Sequence, residues 1–217
     1  MSTKTLSLTD ELHAYVVAHG SEPDELAREL IAETRATLPD QAGMLTAPEQ
    51  AAFLTMLTRL LGVRRAVEIG TFTGYSSLAI ARALPADGRL ICLDISDEYT
   101  SIARRYWARA GVDDRIELRL GPGAETAHQL PTDAGFDLAF VDADKTGYPT
   151  YWNELVPRMR PGGVILVDNV LRDGRVLDPR SDPDRAIVAF NDLVLGDERV
   201  DSMLLPIGDG MTFARRR

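Results

Sequence analysis

The stretch VEIGTFTGYSS, residues 67–77, joins a short apolar run ending at Ile69 to an amphipathic segment that opens at Tyr75. Gly70 and Gly74 stand four residues apart in the join, and Glu68 precedes the first of them by two. A glycine turn between a strand and a helix marks the carboxyl end of a strand in an open parallel sheet, where such sheets hold their ligands. Outward from this turn the pattern repeats. RAVEI (65–69), RLICLD (89–94), RIELRL (115–120), FDLAFVD (136–142) and GVILVD (163–168) read as strands, with helices near 75–84, 97–110, 122–130 and 148–159. The continuous apolar character of these runs argues for a parallel sheet buried on both faces. The chain therefore reads as an α/β protein with a doubly wound, Rossmann-like sheet.

Helices are also expected ahead of this core. Residues 8–19 and 24–37 have helical spacing, with Leu26, Leu30 and Ile31 on one face of the second segment. They define an N-terminal helical extension, residues 1–43, before a main domain of residues 44–217. In TAPEQAAFLTMLTRLLG, Thr46 is expected to cap a helix, with Glu49 reaching back and Pro48 in the first turn. Beyond the fifth strand, RDGRVLDPRSDPDR (172–185) reads as a polar loop or lid and AIVAFNDLVLG (186–196) as a helix. VDSMLLPIGDGMTFARRR (200–217) reads as a hairpin turning at Asp209-Gly210, with the last three arginines a solvated tail.

The totals narrow the classes of function. The chain has 217 residues, 45% hydrophobic, with a formal net charge of -9, which disfavours nucleic acid and anionic lipid and favours a cationic ligand. No segment is long and apolar enough to span a bilayer, and MSTKTLSLTDEL lacks the features of a secretion signal, so a cytoplasmic location is expected. The single cysteine, Cys92, lies within RLICLD and reads as a buried strand residue, which leaves neither disulfides nor a thiolate zinc site. His13, His19 and His128 have no ligand spacing.

The glycine turn is not the dinucleotide fingerprint, because Phe72 occupies the second glycine position. Asp94 ends the second strand and suits the two hydroxyls of a ribose. Glu68, Asp142 and Asp144 add negative charge that repels a diphosphate and attracts a sulfonium, so S-adenosylmethionine fits. Ser76 and Ser77 serve either as local caps or as partners for its carboxylate at the helix N-terminus. FVDADK (140–145) and LVDN (166–169) both end strands in oxygen-bearing side chains. If those strands are neighbours, ~4.8 Å apart, Asp142, Asp168 and Asn169 converge on a hard cation such as Mg²⁺.

In this order, VEIGTFTGYSSLAIA, CLDIS, FDLAFVDADKTGYPTYW, GGVILVDNVLRDGRV and LLPIGDGMTF resemble the cation-dependent O-methyltransferases of the caffeoyl-CoA and catechol O-methyltransferase type, from about Met44 to Phe213. The resemblance implies a seven-stranded sheet with one antiparallel strand, a divalent metal and a homodimer. By position it assigns Asp142, Asp168 and Asn169 to the metal. Thr46, Glu68, Gly70, Ser76, Asp94, Gly123 and Asp144 are assigned to the cofactor, and Lys145 to the general base. The family commonly has an aromatic residue where this chain has Arg172, and only Lys4 precedes Arg28, so no clamp for a triphosphorylated CoA tail is evident. A smaller catechol-like phenol is the expected acceptor. Two other functions share part of the pattern. A nicotinamide oxidoreductase would use the turn and Asp94, but no Tyr-x-x-x-Lys pair is present; a non-catalytic nucleoside-binding protein would not need the metal ligands.

Overall fold

The computed structural model describes residues 6–133 and 135–217; Lys4 lies outside them. The strands are β1 (Arg65–Ile69), β2 (Arg89–Asp94), β3 (Ile116–Leu120), β4 (Phe136–Val141), β5 (Met159–Asp168), β6 (Val200–Leu205) and β7 (Met211–Arg216). The helices are α1 (Asp10–Ala18), α2 (Glu25–Thr37), α3 (Pro48–Leu60), α4 (Tyr75–Ala83), α5 (Asp97–Ala110), α6 (Gly123–His128), α7 (Tyr148–Leu155) and α8 (Asp182–Leu195). One sheet takes all seven strands in the order β3-β2-β1-β4-β5-β7-β6, and only β7 runs against its neighbours. The chain winds outward from β1 through β2 and β3, then returns to β4 on the other side of β1. The strand order therefore switches between β1 and β4, which opens a crevice at their carboxyl ends.

Period-two alternation divides the core between the faces. Val67 and Ile69 of β1 join Leu93, Val141, Ile165 and Val167 against Tyr148, Trp152, Ile187 and Phe190. Ala66 joins Leu90, Cys92, Leu138, Phe140 and Leu166 against Leu30, Leu54, Leu78 and Trp107. The second helix is part of this packing. Leu30 is wholly buried, and the Thr34 hydroxyl donates to Thr73 Oγ1 in the glycine turn at 2.9 Å.

Several boundaries differ from the sequence reading for identifiable reasons. Pro48 takes the first position of α3, which makes extended Ala47, not Thr46, the N-cap. Gln50, not Glu49, reaches back, its Oε1 accepting from Ala47 N at 3.0 Å. Glu49 instead pairs with His13 at 2.8 Å. The eighth helix begins at Asp182, inside the stretch read as a loop. Ser181 and Asp184 cap it reciprocally, so the polar DPDR residues are a helix start. Residues Arg172–Leu177 form tight turns, with Asp173 and Gly174 at positive φ. Pro157 ends α7 in a further tight turn, and β5 starts four residues before the run read as a strand. The final arginines are solvated but are not a tail: Arg215 and Arg216 belong to β7, and Arg217 Nε donates to Asp201 Oδ1 at 2.8 Å.

Candidate active site

The first half of the site is shaped by backbone. Gly70 has φ +92°, and a Cβ there would lie 2.6 Å from the Asp142 carbonyl carbon, so only glycine lets the ends of β1 and β4 close together. Gly74, at φ +88°, starts α4 with no side-chain cap, which leaves its first N–H groups without a capping side chain. Between them Phe72 holds φ +52° and packs edge-on to Tyr99. Asp94 fixes this turn. Its Oδ2 accepts from the N–H groups of Thr71 at 2.9 Å and Phe72 at 2.8 Å, while Oδ1 accepts from Ser96 N at 2.8 Å.

The second half is a network of side chains. Lys145 Nζ donates to Asp142 Oδ1 at 3.0 Å and to the Tyr148 hydroxyl at 2.7 Å, and that hydroxyl donates to the Asp168 carbonyl at 2.9 Å. Asp168 is buried. Its Oδ1 accepts from Gln50 Nε2 at 2.8 Å and from Asn169 N at 2.7 Å. Burial first, and then the charge of Asp142, push the Asp168 carboxyl up to about 7, against the pull of these donors. Asn169 sits at φ +57°, in the left-handed region that asparagine enters more readily than most non-glycine residues.

Both halves border one cavity of about 850 Å³. Thr46, Gly70, Ser76, Asp94, Gly123, Asp142, Asp144, Lys145, Asp168 and Asn169 all line it. Glu68 does not line the cavity. It is wholly buried beneath the turn, on the face of β1 that carries Ala66. Its Oε1 has no hydrogen-bond partner, and burial pushes the carboxyl up to about 8. Among the ionisable lining residues, Asp94, Asp142, Asp144, Asp168, Asp173 and Asp209 outnumber Lys145 and Arg172, which favours a cationic ligand.

Comparison with known proteins decides the family. A family model described as O-methyltransferase matches residues 17–217. The chain belongs to the O-methyltransferase family. It is 42% identical to probable caffeoyl-CoA O-methyltransferase 2 of Dictyostelium discoideum, over 91% of this chain and 88% of that one. It is also similar to the O-methyltransferase TomG of Streptomyces achromogenes, solved with S-adenosylmethionine (SAM), at TM-score 0.85 and 32% identity over 95% of this chain and 96% of that one. An O-methyltransferase of Bacillus cereus, solved with S-adenosylhomocysteine, aligns at TM-score 0.87 and 32% identity over 95% and 97% of the two chains. This chain is thus a methyltransferase that uses S-adenosylmethionine, and the nicotinamide and binding-only alternatives find no support. Among the described residues, no helix is long and apolar enough to cross a membrane.

The methyltransferase site includes residues that sequence reasoning missed. Gln50 was hidden by the 118 residues that separate it from Asp168. Tyr148 and Tyr151 lie in the recognised stretch KTGYPTYW, yet only the helix geometry brings their hydroxyls to Lys145 and Asp144. Tyr151 also lies against Gly123, where a Cβ would fall 2.5 Å from its hydroxyl, so glycine is needed there for packing. Arg172 does line the cavity, at φ +53°, with Nε held 3.3 Å from buried Asp184. The donor set fits a hard dication: two carboxylates repel each other on one wall beside the amide of Asn169. Among the described residues, no three His, Cys, Asp or Glu side chains group to hold an ion.

Proposed function

We propose that this methyltransferase transfers the methyl group to one hydroxyl of a catechol-like small molecule, with a divalent cation held by Asp142, Asp168 and Asn169. One observation carries this reading: those three residues and Lys145 share a single cavity with the glycine turn and Asp94. S-Adenosylmethionine supplies an electrophilic methyl on a sulfonium, and the reaction leaves S-adenosylhomocysteine (SAH). We assign its nucleoside to the side of the cavity bordered by Asp94, Gly123 and Asp144. Its amino-acid tail lies toward Thr46, Ser76 and the free N–H groups of α4.

A phenol with a pKa near ~10 must lose its proton to become a useful nucleophile. Lys145, in its neutral amine form, takes that proton as general base, and the ammonium that results is paired with Asp142. Its Nζ is fixed from two sides, by Asp142 and by a tyrosine hydroxyl that is itself anchored on the Asp168 carbonyl. The cation, when bound, supplies Lewis-acid polarisation of the acceptor oxygens. The wall holds acceptor and donor in one orientation, so their encounter is effectively intramolecular. Arg172, not an aromatic ring, borders the acceptor side, and Asp173 and Asp209 stand near it, which supports a small acceptor over a CoA thioester.

Initial rates on a catechol and on its mono-hydroxy analogue, with EDTA and then with Mg²⁺ restored, test the proposal. The catechol should react much faster, and only with the cation present. Full activity in chelator, or equal rates for the two rings, would remove the metal and the diol from the mechanism.

A further inference from the structure

Gln50 is 3% exposed and stands at the third position of α3, where both ends of its amide are used. Oε1 accepts from Ala47 N at 3.0 Å, and Nε2 donates to Asp168 Oδ1 at 2.8 Å. The amide also lies against bare backbone in the β6–β7 turn, where a Cβ on Gly208 would fall 2.6 Å from Nε2. Three segments distant in sequence thus meet at one side chain: the entrance to α3, the end of β5 and the last hairpin. Nothing in the mechanism above uses this residue.

We propose that Gln50 is a positioning residue for the metal ligand Asp168. Asn169 N and Gln50 Nε2 both donate to Oδ1, so this oxygen is occupied by the protein and the carboxylate is fixed about its Cβ–Cγ bond. Its other oxygen is thereby left as the one presented to a cation. The Ala47 bond sets the direction of the donor, since an amide that accepts through Oε1 from one side must offer Nε2 to the other. The glycine at 208 is then explained as the space in which this amide stands. A purely structural role would make Gln50 no more than the reciprocal half of a helix cap, with the contact to Asp168 incidental.

The inference rests on the metal reading given under Proposed function, and direct Mn²⁺ binding separates the two. Mn²⁺ affinity is measured by titration of the intact protein without acceptor, followed by the electron paramagnetic resonance of free Mn²⁺. Gln50→Leu keeps the bulk and removes the donor, and it should weaken Mn²⁺ binding about 10–100-fold, the usual effect of losing a partner that orients a ligand. Gly208→Ala retains the amide but displaces it and should weaken binding in the same direction, so the test survives if the first variant folds poorly. A cap-only role predicts a lower melting temperature for Gln50→Leu with unchanged Mn²⁺ affinity; that result, or wild-type affinity in both variants, overturns the proposal. If the wild-type protein binds no Mn²⁺, the metal reading itself falls.

Discussion

At the ends of β1 and β2 the cavity is shaped by backbone, and at the ends of β4 and β5 it is shaped by side chains. In the first region two glycines at positive φ and three N–H groups on one carboxylate define the surface, and every residue concerned lies between 70 and 96. In the second, the side chains of Gln50, Asp142, Lys145, Tyr148 and Asp168 form a chain of hydrogen bonds closed through the Asp168 carbonyl, with partners up to 118 residues apart. A backbone site suits a cofactor whose shape is constant. A side-chain site can be altered one residue at a time, which suits the acceptor and its chemistry. The difference predicts that substitutions in the second region change turnover while those in the first change cofactor affinity.

The largest effect is expected from Asp168→Ala. It removes a proposed metal ligand and a charge that organises Asn169 and Gln50, so turnover should fall on the order of 10³-fold, the scale of losing several kcal/mol of charge stabilisation. S-adenosylhomocysteine affinity, which none of the groups around Asp168 is proposed to supply, should change little. Calorimetric titration beside initial rates checks both. A large loss of SAH affinity would mean that the two halves are not separable as described.

Asp94→Ala is the converse case, with a smaller expected effect on function. The turn loses its acceptor for Thr71, Phe72 and Ser96 N–H groups, so two contributions combine: loss of a proposed partner for the cofactor and loosening of the backbone that shapes the cavity. A decrease in SAH affinity of about 100-fold is expected, together with a drop in melting temperature, since each unpartnered group costs about 1–3 kcal/mol when shielded from water. Asp94→Asn retains one acceptor oxygen and should recover part of both. Wild-type affinity in the alanine variant would remove Asp94 from the cofactor site.

The same contrast governs what the sequence disclosed. Strands of continuous apolar character and glycines at fixed spacing are local signals, and β1, β2 and the turn at Gly70 and Gly74 were legible to the residue. Asp142, Asp168 and Asn169 were legible because strand ends carry their own direction, and the adjacency of β4 and β5 brings them together. What stayed hidden depends on rotamers and distant partners. Gln50 reads as an ordinary helix residue, and nothing in KTGYPTYW says that one tyrosine reaches Lys145 and the other Asp144. Polarity also misled: SDPDR suggested a loop where Ser181 and Asp184 cap α8, and RRR suggested a free tail where the arginines pair along β6. Glu68 was the subtlest case. The alternation of β1 turns it beneath the floor of the site and away from the cavity wall.

That placement yields the smallest effect on function and a sharp test of where the backbone half ends. Glu68 is buried with one oxygen unpartnered, and burial raises its carboxyl to about 8 from an ordinary 4.5. Below pH 4.5 both folded and unfolded chains hold the proton, and the stability contributed by the raised pKa is fully present. As pH rises, the unfolded chain ionises first while the folded one keeps its proton, so stability declines and the contribution is gone once pH passes about 8. Glu68→Gln preserves the shape, stays neutral at every pH and should remove this slope. Asp168 is also raised, but it contributes equally to both proteins and cancels in the difference between them. Between pH 5 and 8.5 the cofactor-free wild-type protein should therefore lose about 10 °C more in melting temperature than the variant, the scale of roughly 4 kcal/mol in a chain of this size. Parallel curves would mean that Glu68 is already ionised in the fold and has a partner on the cavity side; in that case SAH affinity, otherwise little changed in the glutamine variant, should fall sharply and return the residue to the cofactor wall.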